Sequence, residues 1–550
     1  MSADVHAAAL DGDVRITRRG FRERGAGPLT RGTPARAALD ALGAALVLGV
    51  AGDLLLRAGA PALNVLLCTA LGLALLAWLA RERGRPVTVG AAGVGALALA
   101  FAAAVAWRDS PTLLVLNVAA LATTACALAA MVRHGAALPL ESFGPRAYVG
   151  GAASTAGAVA GGARALARLA LDAASGRGRQ VGAALGIGAR GAALAFPALV
   201  VFGTLLAAAD GAFARLAHVL VDWDAGVAVA HVLWTAAGAW AAAGYLYAAL
   251  RSPPEPGTAG VGRATPLGAR RDGPAEWCVA LALVDVLFVV FGVVQVGWLF
   301  GGRALVASTS VTYAEYARRG FFELVAVAAL ALPVALGAYG AGVRRLAAAD
   351  PRARRRLHRA LRVAAGTLLG CVGVVLVSAA DRMRLYEGAY GLTELRFYAT
   401  AFMAWLAVVG ACAAATILRD RPAPFALGTL VSAWGWVLVL DAANPDARIV
   451  GVNAARATRG RPFDAAYAAW LSADAVPGLL AYLSTTPAAA PADEACTVVS
   501  QLDAARRAAD GADWRTRHLA RWRAGRLVAR AERDGRLAPW RAACAAGRSG

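Results

Sequence analysis

Two short segments of the sequence concentrate side chains that can bind an anion. Both combine tyrosine, arginine and glutamate, and the residues concerned are Tyr313, Tyr316, Arg318, Arg319 and Glu323 in the first segment and Arg382, Tyr386, Glu387, Tyr390, Glu394 and Arg396 in the second. A guanidinium group donates paired hydrogen bonds to a carboxylate or a phosphate, and a tyrosine or glutamate beside it can orient the bound group or carry a proton. The two segments therefore predict a ligand site. The alternative is structural, with arginines paired to glutamates and tyrosines anchoring helix ends.

Metal ions and cofactors are not predicted, because the residue spacings that hold them are missing. All 56 residues counted as lysine or arginine are arginine, so a phosphate-loop lysine and a Schiff-base lysine are both excluded. The 7 cysteines form no Cys-x-x-Cys pair and the 6 histidines form no His-Glu-x-x-His pair, which leaves no zinc or iron–sulfur spacing. Gly186, Gly188 and Gly191 match a dinucleotide motif, but an alanine-rich stretch precedes them and a predicted span follows, so we attribute the match to chance. We expect no catalytic residue.

The elements that must position these side chains are transmembrane helices. The chain has 550 residues, of which 59% are hydrophobic and 17% charged, against about 45–50% and about 25% in soluble domains. A helix needs about 20 predominantly apolar residues to cross a bilayer. Eleven segments meet this criterion, near 39–56, 62–80, 87–107, 112–132, 191–209, 227–250, 277–299, 320–342, 363–380, 397–418 and 425–440. We therefore predict an all-α fold, a polytopic transmembrane helix bundle.

The distribution of arginine predicts how the bundle is oriented. A net charge of +21 would suggest a nucleic-acid partner for a soluble protein. Here, however, the arginines alternate between successive connections, with 31 on one side and 9 on the other, and arginine accumulates on the cytoplasmic side of membrane proteins. We therefore predict membrane lipids and no nucleic acid as partners. The chain would then have three regions, an arginine-rich cytoplasmic tail at 1–38, a multi-pass transmembrane domain at 39–440 and a small extracytoplasmic helical domain at 441–550.

One ionisable residue lies deep within a predicted span. Asp285 is 8 residues into the segment near 277–299, which at about 1.5 Å per residue places it roughly 12 Å from the helix end. A charge inside the bilayer is unfavourable, so such a residue marks a hydrogen bond or ion pair between helices, or a proton or ion pathway. Asp40 and Asp53 lie nearer the ends of their span, where we expect water to reach them.

The cysteines fall into two groups by position. Five lie within predicted spans, where a lone thiol packs as a small apolar group. Cys496 and Cys544 lie in the C-terminal domain, 48 residues apart, and an oxidising compartment would allow them to pair. An exported domain therefore predicts a Cys496–Cys544 disulfide, which the chain-entropy model values at about 4 kcal/mol. An even number of spans would leave two free thiols in the cytoplasm.

Several stretches resemble a known family. The segments 312–324 and 381–396 are similar to stretches characteristic of a bacterial family of polytopic membrane proteins, a domain of unknown function of the 4153/4173 type. Further similar stretches are 208–213, 291–295, 299–302 and 444–447. The resemblance implies a multi-pass inner-membrane protein, and it implies no activity, substrate or catalytic residue.

Three classes of function remain open. The arginine and tyrosine segments favour transport or sensing of an anionic small molecule or a lipid-like ligand. A membrane-embedded transferase acting on lipid-linked substrates would have a similar number of helices. Such enzymes typically place paired acidic residues in a long first outer loop, whereas the connection 57–61 is short. A non-catalytic assembly or scaffold protein would use its arginine-rich connections to contact anionic lipids.

Overall fold

The structure is a computed structural model, and it describes residues 34–57, 59–85, 87–135, 145–174, 225–251, 273–307, 321–346, 350–420, 424–485, 492–511 and 513–546. These residues form seventeen α-helices, and no strand occurs among them. The helices are α1 (Pro34–Leu56), α2 (Leu63–Glu82), α3 (Val89–Trp107), α4 (Pro111–His134), α5 (Pro145–Ala174), α6 (Ala225–Leu250), α7 (Pro274–Ala307), α8 (Phe321–Arg345), α9 (Pro351–Tyr390), α10 (Glu394–Leu418), α11 (Pro424–Ala443), α12 (Pro445–Ala457), α13 (Ala465–Trp470), α14 (Val476–Thr485), α15 (Ala492–Asp510), α16 (Leu519–Arg533) and α17 (Ala538–Ala546).

The prediction of an all-α polytopic bundle is confirmed. Within the described ranges, nine helices are long and apolar enough to cross a membrane, namely α1–α4 and α7–α11. They coincide with nine of the eleven predicted spans, and the protein is therefore an integral membrane protein. The sixth predicted span coincides with α6, a helix of 26 residues that is not among the nine. The fifth, near 191–209, lies outside the described residues.

Helix α9 is much longer than the predicted span near 363–380. Its 40 residues correspond to about 60 Å at 1.5 Å per residue, roughly twice the thickness of the hydrocarbon core. The helix begins early because Pro351 occupies its first turn and Asp350 accepts a hydrogen bond from the backbone N–H of Arg352 at 3.1 Å. It ends at Gly391, whose φ of +81° breaks the helix. Much of the sequence that connects this span to its neighbours is therefore helical.

Helices α1, α5 and α6 approach each other closely through small residues. A Cβ added to Gly49 of α1 would lie 2.5 Å from the carbonyl oxygen of Thr235 on α6. A Cβ on Gly244 of α6 would lie 2.3 Å from the carbonyl oxygen of Val159 on α5. Membrane helices gain packing contacts where small residues let their backbones meet. Residues 164–171 belong to α5 and so to this packed group.

Helices α7–α10 form a second packed group around one face of α9. Leu361 and Leu368 of α9 are fully buried, and a spacing of seven residues places them on the same face, which packs against α7 and α8. Helix α11 packs against α10 of this group and also against α3 and α4. Its Trp434 packs with Phe101 of α3, and the Trp434 ring nitrogen donates to the hydroxyl of Thr123 on α4 at 2.9 Å.

Helices α12–α17 form the C-terminal domain around a core that includes Ile449, Leu502 and Val528. A disulfide joins Cys496 of α15 to Cys544 of α17, with the Cα atoms 5.4 Å apart. This is the pair that the sequence suggested. The domain lies against the α1–α2, α3–α4 and α9–α10 connections, which the arginine count predicts to share one side of the membrane.

The opposite end of the bundle is held together by arginines. Arg83 donates to the carbonyl oxygen of Ala37 at 2.8 Å, and Arg85 donates to that of Arg251 at 3.4 Å. The start of α1, the α2–α3 connection and the end of α6 therefore meet at this end. The arginine count also predicts that these three segments lie on the same side of the membrane.

Candidate functional site where the C-terminal domain meets the spans

The α9–α10 turn carries most of the second predicted segment, and α12 holds it in place. A Cβ at Gly391 would lie 2.6 Å from Oδ1 of Asn453, and the φ at this position is +81°, so the turn requires glycine. Asn453 accepts a hydrogen bond from the backbone N–H of Leu392 and donates one to its carbonyl oxygen, both at 2.8 Å. The turn is therefore attached to the C-terminal domain through its backbone.

Arg456 of α12 caps the end of α9. Its guanidinium donates to the carbonyl oxygens of Glu387, Gly388 and Ala389 at 3.0, 2.6 and 3.1 Å. The last carbonyls of a helix have no partner within the helix, and a cation at that end also complements the helix dipole. The C-terminal domain thus supplies the cap of a membrane helix.

Three of the predicted ligand residues meet at this turn: Tyr386, Tyr390 and Arg396. The tyrosines are four residues apart on α9, and their rings make an edge contact with centroids 5.1 Å apart. The Arg396 guanidinium lies 4.2 Å from the Tyr386 centroid and 5.8 Å from the Tyr390 centroid, within reach of cation–π contacts. It also donates to the carbonyl oxygen of Gly391 at 2.6 Å. Because Tyr390 is 59% exposed, the group is accessible from outside.

The two glutamates of this segment do not pair with Arg396. Glu387 accepts a hydrogen bond from the hydroxyl of Thr400 at 3.1 Å. The backbone N–H of Glu394 donates to the hydroxyl oxygen of Tyr467 at 2.7 Å. Among the described residues, Arg396 forms no ion pair with a carboxylate, although its charge acts on the nearby carboxylate of Glu387.

The other predicted ligand residues do not join the group formed by Tyr386, Tyr390 and Arg396. Arg382 lies one helical turn before Tyr386 on α9, and Glu323 is exposed in the first turn of α8. The remaining members of the first segment lie outside the described residues; they are Tyr313, Tyr316, Arg318 and Arg319.

A second cluster, which we call the junction, consists of Arg108, Asp109, Asp441, Asp474 and His518. Arg108 of the α3–α4 connection pairs with Asp474 of the C-terminal domain at 3.0 Å, with 9% and 6% of the two side chains exposed. Its Nε donates to the carbonyl oxygen of Asp441 at 2.7 Å. The backbone N–H of Asp109 donates to the second oxygen of Asp474 at 2.8 Å, and Nε2 of His518 donates to the carbonyl oxygen of Arg108 at 2.9 Å.

Buried carboxylates surround the junction. Asp441 accepts a hydrogen bond from the amide of Asn117 at 2.9 Å, and Asp446 accepts two from Ser472. Both aspartates are 1% exposed, and one oxygen of each has no hydrogen-bond partner in the described chain. An unpaired oxygen of this kind disfavours the charged form. Accordingly, burial raises the pKa of Asp446 above its ordinary value, neighbouring carboxylates add to the shift, and the bonds from Ser472 oppose it.

The pKa of His518 is shifted in the opposite direction, below its ordinary value. The residue is 5% exposed, and this burial lowers the pKa of its imidazole, although the carboxylate of Asp109 acts in the other direction. A protonated ring would also stand beside Arg521, which pairs with Asp109 at 2.8 Å. Burial therefore favours the neutral imidazole, and protonation would place a proton on Nδ1, which is buried without a hydrogen-bond partner in the described chain.

Comparison with protein-family models matches residues 91–482 to a domain of unknown function, DUF4153. The match covers more than two thirds of the chain. The chain belongs to the DUF4153 family. Comparisons with curated proteins and with solved structures gave no match. The family region of this DUF4153 protein runs from α3 to α14, so it includes the α9–α10 turn and both partners of the Arg108–Asp474 pair.

Sequence reasoning did not find the junction of the DUF4153 protein. Arg108 and Asp109 stand in a short connection, where charged residues are ordinary, and Asp474 belongs to no motif. The partners Arg108 and Asp474 are 366 residues apart in the chain, so no local pattern joins them. The one available signal was the family-like stretch 444–447, which contains Asp446.

Asp285 lies near the middle of the candidate span Pro274–Val294 of α7 in the DUF4153 protein. It follows Pro274 by 11 residues, or about 16 Å along the helix. Its carboxylate lies near the thiol of Cys371 on α9. Its Oδ1 is buried without a hydrogen-bond partner in the part of the chain that the structure describes. The expected hydrogen bond or ion pair between helices is not found among these residues.

A further polar contact links α1 with α6. Nε2 of His231 accepts a hydrogen bond from Arg57 at 2.5 Å, and Nδ1 bonds to Asp53. Since arginine can only donate, the ring proton lies on Nδ1. We expected water to reach Asp53, but it is 5% exposed because α6 covers it. In the described ranges, no three His, Cys, Asp or Glu side chains are grouped to hold a metal ion.

Proposed function

We propose that this DUF4153 protein is a membrane sensor that binds an anion, either a small molecule or a lipid-like ligand, at the α9–α10 turn. The observation that carries the proposal is the state of Arg396. Its guanidinium lies on the Tyr386 ring, and its one hydrogen bond among the described residues is to Gly391. A guanidinium has five N–H donors. Donors therefore remain for the oxygens of a carboxylate or phosphate, next to the exposed ring of Tyr390.

The same turn offers a route for a signal into the C-terminal domain. Asn453 and Arg456 hold the turn by its backbone, and the start of α12 carries Asp446 beside the junction. An anion that draws Arg396 away from Gly391 would alter the backbone of the turn, which Asn453 and Arg456 of α12 contact. A ligand that favours one of two such arrangements shifts their populations.

We further propose that the N-terminus is cytoplasmic and that the C-terminal domain is extracytoplasmic in the inner membrane of a bacterium. Two observations support this orientation. Arginines are concentrated at the end that carries Arg83, Arg85 and Arg251, as cytoplasmic ends are. The Cys496–Cys544 disulfide at the opposite end belongs to an oxidising compartment.

Thermal unfolding of the full-length protein in detergent tests the ligand site. Inorganic phosphate, citrate and short-chain phosphatidylglycerol serve as probes, and the last separates a lipid-like from a soluble ligand. We expect at least one probe to raise the melting temperature of the unsubstituted protein. Arg396→Gln should abolish this shift, and Arg396→Lys should weaken it, since lysine keeps the charge but loses the planar fork.

Arg530→Gln is the matched control, because Arg530 is 73% exposed on α16 and should keep the full shift. Hydrogen exchange should show that the effective probe protects α12, as transmission requires. The sensor proposal is wrong if no probe stabilises the protein, if Arg396→Gln responds like Arg530→Gln, or if binding leaves α12 unaffected.

Transport is the second candidate, and Asp285 favours it. A buried carboxyl oxygen without a partner in mid-membrane is typical of a proton pathway. In proteoliposomes, Asp285→Asn should then abolish uptake of the effective anion and leave its thermal shift intact. Uptake that Asp285→Asn does not change would contradict this alternative.

A further inference from the structure

The first three turns of α9 carry five exposed arginines along one face. They are Arg352, Arg355, Arg356, Arg359 and Arg362, which we call the arginine stripe. Intervals of three and four residues keep them on the same side of a helix. The opposite side bears Leu361, which is fully buried in the core with α8. Apart from Arg362, which lies near Asp420, the stripe therefore points away from the rest of the described protein.

Acidic groups in the described chain neutralise little of this charge. Arg362 lies 3.4 Å from Asp420, but that carboxylate also accepts a hydrogen bond from Tyr339 at 2.5 Å and lies 3.1 Å from His358. The other four arginines form no ion pair with the described residues, and Asp350 caps backbone N–H rather than a guanidinium. Like charges at helical spacing repel, and the positive end of the helix dipole adds to the cost. An external anion would reduce both the repulsion among the arginines and their unfavourable interaction with the helix dipole.

The stripe continues directly into an exposed face of the membrane span. Val363 and Val377 are 62% and 60% exposed. Between them, a Cβ on Gly366, Gly370 or Gly373 would have nothing within 4 Å. In an apolar transmembrane helix such a face contacts lipid. The 12 residues of 351–362 rise about 18 Å, so the arginines lie at and just beyond the level of the lipid headgroups.

We propose that the arginine stripe binds the phosphate groups of anionic phospholipids in the membrane around α9. Arginine binds phosphate bidentately, and clusters of arginine next to a span attract anionic headgroups. Because the stripe is in line with the lipid-facing surface, membrane lipid fits it better than a soluble polyanion. A second copy of the chain on the exposed glycines would bring two stripes together, and their repulsion disfavours that occupant.

Nanodiscs that contain the full-length protein test this proposal. One set is made of phosphatidylcholine, and the other also contains phosphatidylglycerol. Bound lipid is counted by native mass spectrometry. The stripe variant combines Arg355→Gln, Arg356→Gln and Arg359→Gln, whereas the matched control combines substitutions to glutamine at three exposed arginines of α16, Arg523, Arg526 and Arg530. The affinity for phosphatidylglycerol should fall roughly fivefold per stripe arginine, on the order of 100-fold for three, and stay unchanged in the control.

Equal melting temperatures in phosphatidylcholine would establish that the stripe variant is folded. High salt should reduce the preference for phosphatidylglycerol in the unsubstituted protein. Unchanged phosphatidylglycerol binding by the stripe variant would overturn the proposal. It would also fail if inositol hexakisphosphate stabilised the protein as strongly as phosphatidylglycerol does. A dimer that Gly370→Leu dissociates, formed equally in both lipids, would show that a second copy covers this face instead. All these measurements are made in the Arg396→Gln background, so none of the outcomes depends on the anion at the α9–α10 turn, which is at the other end of α9.

Discussion

Removing Arg108 should loosen the C-terminal domain from the membrane helices far more than removing an exposed arginine. In Arg108→Leu, the carboxylate of Asp474 loses its paired cation while only 6% of its side chain is exposed. Breaking a buried ion pair in this way costs about 3–5 kcal/mol, because the remaining charge stays buried. The backbone N–H of Asp109 still donates to Asp474 at 2.8 Å. We therefore expect a loss near the lower end, about 3 kcal/mol.

Two variants separate the ion pair from other causes. Arg530→Gln breaks a pair with Asp534 whose side chains are 73% and 47% exposed, and it should cost about 0.5 kcal/mol or less. Arg108→Leu combined with Asp474→Asn removes both charges but keeps an acceptor for the N–H of Asp109. This double variant should be more stable than Arg108→Leu alone, because no buried charge is left unpaired.

Urea unfolding in mild detergent, followed by the tryptophan fluorescence of the C-terminal domain, measures these differences. With a denaturant slope of about 2 kcal/mol per molar urea, Arg108→Leu should lower the midpoint by about 1.5 M, and Arg530→Gln by about 0.3 M or less. The reasoning is refuted if the two single variants shift the midpoint equally. It is also refuted if the double variant is no more stable than Arg108→Leu.

Three further predictions follow from the packing and from the titratable groups. Cys496→Ser should destabilise the C-terminal domain by about 4 kcal/mol. A reducing agent should have the same effect on the unsubstituted protein. Free thiols at both positions in protein taken from cells would contradict the pairing of Cys496 with Cys544. Gly162→Ala should lower the melting temperature, because its Cβ would lie 2.9 Å from Cα of Gly244. The Cβ of Gly161→Ala would have nothing within 4 Å, so this variant should keep the melting temperature unchanged. Equal effects of the two variants would exclude a close contact between α5 and α6 at Gly162. Burial lowers the pKa of His518, so its contribution to stability is present above the ordinary pKa of about 6.5 and is lost as pH falls through the lowered value. The urea midpoint should therefore fall on acidification, and His518→Gln should flatten this profile; an unaltered profile would assign the acid sensitivity to other groups.

The sequence indicated some of the residues that come together at the α9–α10 turn. Tyr386, Tyr390 and Arg396 meet because they are close in the chain and α9 continues far enough to place them at its end. The alternative pairing of arginine with glutamate is not found at Arg396. The carboxylate of Glu387 accepts its hydrogen bond from Thr400, and Tyr467 binds the backbone N–H of Glu394. Tyr467 comes from the C-terminal domain, and no local pattern indicates that it would reach this turn.

The sequence by itself determined the class of protein. Long apolar segments without lysine and with few acids can form only membrane helices, since a spanning backbone must satisfy its hydrogen bonds internally. The alternation of arginine between successive connections likewise predicted which helix ends lie on a common side. These properties follow from residues close in the chain, and local physics suffices to read them.

Only the tertiary structure decided which polar residues meet at the junction. Arg108 and Asp474 are 366 residues apart, and each is an unremarkable charged residue in its own segment. Their pairing exists because α3, α11 and the C-terminal domain are packed so that one buried space is left for both side chains. A buried charge is tolerable only with a partner beside it, and the packing of distant segments, not the local sequence, brings that partner there.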